Sequence, residues 1–212
     1  MTPARAPSGM LGRALTGSAT DAARALLGAL IVRDSPEGRV AIRITEAEAY
    51  GGVGEDPGSH AHRGPTPRNT TMFGQAGTAY VYFSYGMHWA LNVSTGPSGR
   101  ASAVLIRAGE VVEGVEVARS RRNGARDRDL ARGPARLAQA LGVTGVDNGA
   151  NLLAADSSLR LEPGAPRTDA EVIAGPRVGV SGEGAATPWR FWLSGEATVS
   201  TYRAAVRRQR KK

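Results

Sequence analysis

The 212-residue chain contains no cysteine. Disulfides, thiolate nucleophiles and iron–sulfur clusters are therefore excluded. Lysine is nearly as scarce, since Lys211 and Lys212 at the C-terminal end are the only two. A mechanism that needs an internal amine, as a Schiff base or on phosphates in a P-loop, has no residue to use apart from the α-amino group. No apolar run approaches the roughly 18–20 residues needed to span a bilayer, so no membrane association is expected. Met1 to Thr16 mixes Arg, Pro and Gly without an apolar stretch. No secretion signal is expected there, and a cytoplasmic location fits. A Gly-x-Ser-x-Gly nucleophile elbow is also missing.

Glycine (28) and proline (12) are plentiful, which favours many turns and short strands over a helical bundle. The length suits one domain with a full core. We expect a single α+β domain over 21–201, a curved and largely antiparallel sheet with flanking helices. An N-terminal extension (1–20) precedes it and a basic C-terminal tail (202–212) follows. Formal charge is +8, but Arg203, Arg207, Arg208, Arg210, Lys211 and Lys212 supply six of these charges with no acid among them. A second basic stretch sets Arg119, Arg121, Arg122, Arg126, Arg128, Arg132 and Arg136 against Asp127 and Asp129. Clustered positive charge attracts polyanions. It equally describes a solvated tail and an exposed arginine-rich helix or loop.

A cap region at Ser18, Thr20 and Asp21 predicts a helix over Asp21 to Leu30, leading into a strand at Ile31 to Arg33. The turn Asp34-Ser35-Pro36-Glu37-Gly38 makes a hairpin with the strand that begins near Val40. Gly51 to Gly77 is a long loop, a length more often functional or disordered than idle. Strands are expected at Thr78 to Ser84, His88 to Ser94, Ser102 to Arg107, Ala150 to Leu161 and Trp189 to Thr198. A helix opened by Gly133-Pro134 closes at Gly142.

The run Val40 to Tyr50 alternates with period two, so Val40, Ile42 and Ile44 share one face. If the strand continues unbroken, Glu46, Glu48 and Tyr50 fall on that same apolar face, where carboxylates need partners or a cavity. If it ends at Thr45, both acids are solvated on a turn. Arg107 ends the apolar strand Ala103-Val104-Leu105-Ile106 and needs either solvent, a phosphate or a buried acid, for which Glu48 is a candidate. Asn92 lies inside a strand, either satisfied by backbone or reading a ligand. Strand parity puts Tyr80 and Tyr82 on one face and Val81, Phe83 and Tyr85 on the other, with Tyr85 at a hairpin tip before Gly86. These rings can pack a core, or stack on bases and wedge between them. Asp56, His60 and His62 have a spacing that could surround a metal, but without cysteine the pattern is weak, and no metal or cofactor is expected.

Thr45-Glu46-Ala47-Glu48-Ala49-Tyr50, Thr66-Pro67-Arg68-Asn69-x-x-Met72-Phe73, Gly77-Thr78-x-Tyr80-Val81-Tyr82-x-x-Tyr85-Gly86-Met87 and Val104-Leu105-Ile106-Arg107-Ala108 resemble the 3-methyladenine (alkyladenine) DNA glycosylase family. Gly133-Pro134-Ala135-Arg136-Leu137 and Arg177-Val178-Gly179-Val180 extend the match, which runs from about Ala22 to Thr198. The resemblance implies a monomeric, monofunctional enzyme that acts on double-stranded DNA containing damaged purines. It would flip the base out and hydrolyse its N-glycosidic bond, initiating base excision repair. It implies Glu48 as the base that activates water, Arg107 as the group that holds water and carboxylate, and the Val178 carbonyl as a further water ligand. Tyr50, His60 and Tyr82 become the walls around the extruded base, Asn92 the amide that disfavours guanine, and Tyr85 the wedge. Arg68 and Met87 lie along the DNA surface in this scheme. His88 and Ser84 depart from the family pattern beside the wedge, and the Tyr50-to-His60 stretch is one residue longer than in vertebrate members. Two other classes fit the residues alone. A non-catalytic damage-binding module would not need Glu48, and a small-molecule nucleoside hydrolase would use Glu46 and Glu48 as an acid/base pair.

Overall fold

A computed structural model of the chain describes residues 9–84, 86–165 and 168–205. Among the described residues, eight strands form one open sheet: β1 (Leu30–Ser35), β2 (Gly38–Tyr50), β3 (Ala79–Ser84), β4 (His88–Ser94), β5 (Ala103–Glu113), β6 (Leu159–Glu162), β7 (Val172–Gly175) and β8 (Arg190–Leu193). The spatial order is β3-β4-β5-β2-β1-β6, with the β7–β8 pair attached to β2, and every pairing is antiparallel. Four α-helices within the described residues flank it: α1 (Met10–Leu15), α2 (Ala19–Leu26), α3 (Val115–Arg121) and α4 (Pro134–Leu141). The α+β class read from the sequence is the observed one. None of the described helices is long and apolar enough to cross a membrane.

Local chemistry explains these boundaries. The Ser18 hydroxyl accepts the Asp21 N–H and caps α2, whose Ala22, Ala23 and Leu26 enter the core. Pro134 opens α4, and Gly142 closes it in the left-handed conformation (φ 68°) that a side chain resists. Leu137, Ala138, Ala140 and Leu141 pack from α4 onto the sheet with Leu91, Val93, Val104 and Ile106.

Two expected strands are much shorter than their hydrophobic patterns suggest. Of Ala150 to Leu161 only the end is extended, because the Ala154–Ser158 stretch turns on itself through a Ser157 N–H bond to the Ala154 carbonyl. The strand at Trp189 stops at Leu193, where Gly195 (φ 74°) follows in a turn. The expected helix also ends at Leu26, since Leu30 already pairs with Arg43 in the sheet.

β2 is the longest strand and carries two partners on one edge. Its first half pairs with β1 and its second half, Glu46 to Glu48, with β8, while β5 runs along the other edge. The register against β5 shifts between Ile44 and Glu46 and again between Glu46 and Ala47. Gly109 is needed opposite this irregularity, because a Cβ there would lie 2.4 Å from the Ile42 side chain and 2.5 Å from the Arg43 carbonyl.

Candidate active site

The bulge decides which way the β2 side chains point. Val40, Ile42 and Ile44 belong to the main core, and so do Ala47 and Ala49. The apolar face therefore changes parity across the irregularity, and Glu46, Glu48 and Tyr50 project from the opposite face. Neither sequence alternative held: the strand continues through Tyr50, but it is not unbroken. A bulge inserts one residue and exchanges the faces beyond it.

Glu48 has no solvent exposure. One carboxylate oxygen accepts the Val178 N–H at 2.7 Å, and the other accepts the Tyr50 hydroxyl at 2.8 Å and Arg107 Nη1 at 3.1 Å. Arg107, on β5, also gives its Nε to Glu46 at 2.8 Å. Burial lowers the Arg107 guanidinium pKa, but the charges of Glu48 and Glu46 outweigh that and raise it above the ordinary value.

Glu46 is equally buried and is saturated. It accepts Arg107, Arg190 Nε (2.7 Å), and both the N–H (2.6 Å) and the hydroxyl (2.9 Å) of Ser200. Burial alone would raise its pKa, yet Arg107 and Arg190 hold it below the usual carboxylate range. It borders neither of the two principal cavities. An acid/base pair made of Glu46 and Glu48 thus has no geometric support, because Glu46 is turned into a bracket behind Arg107.

The long loop after Tyr50 is ordered by two buried polar residues. Asp56 receives Arg177 on both oxygens (2.6 and 2.7 Å) together with the N–H groups of Gly51 and Gly58. Arg177 has no exposed surface, bonds the Ala49 carbonyl, and lies 4.7 Å from the Tyr50 ring centroid and 5.3 Å from that of Trp189. Burial would raise the Asp56 pKa, but the Arg177 hydrogen bonds bring it below its ordinary value. The carboxylate of the Asp56–His60–His62 spacing is thus turned toward an arginine. Asn69 fixes the second half of the loop, with its amide nitrogen donating to the carbonyls of His60 and Gly64.

These elements enclose a cavity of about 790 Å³, within the range of roughly 300–1,000 Å³ usual for small-molecule sites. Tyr50, His60, Tyr80, Tyr82, Asn92 and Arg107 line it. Tyr80 and Tyr82 alternate with Val81 on β3, so both rings face inward with centroids 5.4 Å apart. The Tyr80 hydroxyl lies 3.0 Å from His60 Nδ1, and the imidazole meets Tyr82 edge-on at 4.7 Å. Burial, with a smaller effect of Arg68, holds the His60 pKa below 6.5. Burial and Tyr82 push Tyr80 up to about 12. Burial, followed by the Glu48 charge, raises Tyr50 well above 10.

Asn92, on β4, is satisfied by backbone and also reaches the cavity wall. It donates to the Tyr80 carbonyl at 3.0 Å and borders the cavity. Arg68 sits at the rim, 5.1 Å from the Tyr82 ring centroid, and donates to the Phe83 carbonyl. Met87 is exposed beyond the rim. Tyr85 lies outside the described residues. Glu48 itself is beneath the lining rather than on it, roofed by Tyr50, Arg107 and Val178, all three of which are on the cavity wall. Val178 contacts Glu48 through its N–H. The family resemblance assigned no role to Tyr80 or Arg190. Parity with Tyr82 was the available signal for the first; nothing local signalled the second.

A family model described as methylpurine-DNA glycosylase matches residues 13–197. A Streptomyces avermitilis protein named "Putative 3-methyladenine DNA glycosylase" is 52% identical over 193 residues, covering 90% of each chain. Proteins with the same name from Leifsonia xyli subsp. xyli and Burkholderia lata are 53% and 44% identical. They cover 90% and 92% of this chain, and 91% and 93% of their own lengths.

Proposed function

The chain belongs to the methylpurine-DNA glycosylase family, and from that premise we propose that it removes alkylated purines from duplex DNA by base flipping and water attack at the sugar, with Glu48 as the base. The observation that carries this reading is a carboxylate with no solvent exposure held directly under a tyrosine-lined cavity by groups of the cavity wall. A purine buried in a duplex has to leave the stack before its glycosidic bond can be reached. The cavity between Tyr50, His60, Tyr80 and Tyr82 supplies faces and edges for such a base. An alkylated purine carries positive charge, which favours electron-rich rings. The depressed His60 pKa keeps that wall neutral near pH 7, so it does not repel the cation.

As the glycosidic bond breaks, its electron pair leaves with the base and positive charge develops on the sugar. Glu48, as carboxylate, stabilises that charge and takes a proton from the attacking water, whose oxygen bonds the anomeric carbon. Arg107 and the Val178 N–H fix the direction of the carboxylate, and Tyr50 would tilt or withdraw to admit the water. Asn92 lines the cavity, and the family resemblance assigns it the exclusion of guanine by crowding the exocyclic amine. Tyr85 is assigned the duplex gap by the family resemblance. The products are an abasic site and a free base, without strand cleavage, because no internal lysine exists to form an imine.

The direct test is incubation with duplexes carrying one defined lesion each. Nicks are expected at the lesion only after hot alkali, and borohydride should trap no protein–DNA adduct. Absence of alkali-labile sites on every methylated purine duplex would overturn the reading, and an adduct trapped through a residue other than the amino terminus would overturn its hydrolytic form. Stacking on an aromatic ring contributes about 1–3 kcal/mol per base. Tyr82→Ala should therefore raise the concentration for half-saturation of a methylated duplex roughly 5- to 150-fold. Titration of undamaged duplex should move little, and an equal loss on both would place Tyr82 outside the base cavity.

A further inference from the structure

A second cavity, about 820 Å³ in volume, adjoins the first and shares Arg107, Pro134 and Val178 with it. Its wall carries Arg122, Arg126, Arg128, Arg132, Arg136 and Arg203, drawn from the segment after α3, the start of α4 and the chain beyond Thr201. Among the described residues, Asp129 is the single carboxylate on that wall. Arg128 and Arg132 reach it at 3.5 Å and Arg136 at 3.8 Å, so three guanidinium groups share one acid at loose distances. The side chains of Arg126 and Arg203 have no hydrogen bond or ion pair among the described residues. Arg122 is tied to the Leu130 carbonyl and the Gln139 side chain, and burial together with the nearby Arg136 charge holds its pKa below the ordinary value. The remainder of the basic stretch behaves otherwise, for Arg119 pairs with Asp127 and Glu116, and Arg121 with Glu37.

A concave surface whose positive charges outnumber its carboxylates repels itself unless an anion fills it. We propose that this cavity binds the backbone phosphates of the DNA strand that carries the extruded nucleotide. The inference rests on the glycosylase reading above. A base seated in the first cavity leaves its sugar near Arg107 and Val178, and those residues form the boundary with the second. The strand therefore passes from one cavity to the other across Pro134 and Val178, and the flanking phosphates meet the arginines. Planar guanidinium groups suit phosphate oxygens, which they can engage two at a time. Such contacts position the strand and read no sequence.

The test is the salt dependence of binding to a duplex containing a tetrahydrofuran abasic-site analogue, which binds without turnover, and to its undamaged counterpart. Each phosphate contact adds about 0.9 to the slope of log affinity against log salt. Arg126→Gln, Arg136→Gln and Arg203→Gln are each expected to reduce the slope by about 1, and their combination by more, on both duplexes alike. Arg13→Gln, outside both cavities, should leave it unchanged. Single-turnover base release by Arg13→Gln from a methylated duplex should match that of the parent. Slopes unmoved by all three substitutions would overturn the phosphate site even in a protein that releases bases. A parent protein that releases no base would overturn the glycosylase reading instead, and the slopes would still decide whether this cavity grips DNA.

Discussion

Glu48→Gln is expected to bind methylated duplex about as well as the parent while releasing the base about 10²–10⁴-fold more slowly, the loss usual for removal of a general base. The substitution keeps volume and an oxygen acceptor for the Val178 N–H. Arg107 still has Glu46 on its Nε, so its guanidinium is not left without a charge partner. What disappears is the carboxylate charge at the point where the sugar becomes positive, together with the ability to take a proton from water. Binding and chemistry should separate cleanly in single-turnover measurements, with the rate at saturation reduced and the titration unchanged. Retained turnover would remove Glu48 from the role of base. A loss of binding that matches the loss of rate would assign Glu48 to holding the site together, as Glu46 does behind it.

The contrast between these two acids also shows how far local sequence reaches. Both were visible as carboxylates in an alternating strand, and Arg107 was visible as a charge in need of a partner. Both leave the core face together at the register shifts against β5, and their separation into different roles comes from Arg190 and Ser200, which saturate Glu46 and not Glu48. Strand parity was enough to put Tyr80 beside Tyr82, since that relation is local and β3 is regular. The order of the long loop was not legible, because Asp56 is held by Arg177, 121 residues away. Ser200 and Arg190 reach Glu46 over comparable distances in the chain. The basic stretch gave the number of arginines but not their disposition. Some turn to acids of their own, and others to a cavity that also takes Arg203 from the chain beyond Thr201.

Arg177→Met is expected to be the most destabilising substitution near the site. It leaves Asp56, only 2% exposed, as an ionised group without its partner. Breaking a buried pair from one side costs about 3–5 kcal/mol, which for a domain of this size lowers Tm by roughly 6–20 °C. The loss is not confined to charge, because Arg177 also bonds the Ala49 carbonyl and packs between the Tyr50 and Trp189 rings. Adding Asp56→Asn should restore part of the stability, since the uncompensated charge is gone while an oxygen remains for the Gly51 or Gly58 N–H. The pH dependence has a definite sign. Asp56 has a folded pKa below its ordinary 3.8, so its contribution is complete above that value and is lost as pH falls through the lower folded one. The gap in stability between parent and Arg177→Met should therefore be widest near neutrality and should narrow below about pH 4. Urea melts at pH 7 and pH 3 measure it directly. A variant that melts within about 2 °C of the parent at pH 7, a difference worth no more than about 1 kcal/mol, would mean that Asp56 and Arg177 do not hold the loop onto β2. His60 and Tyr50 would then owe their places in the cavity to something other than this pair.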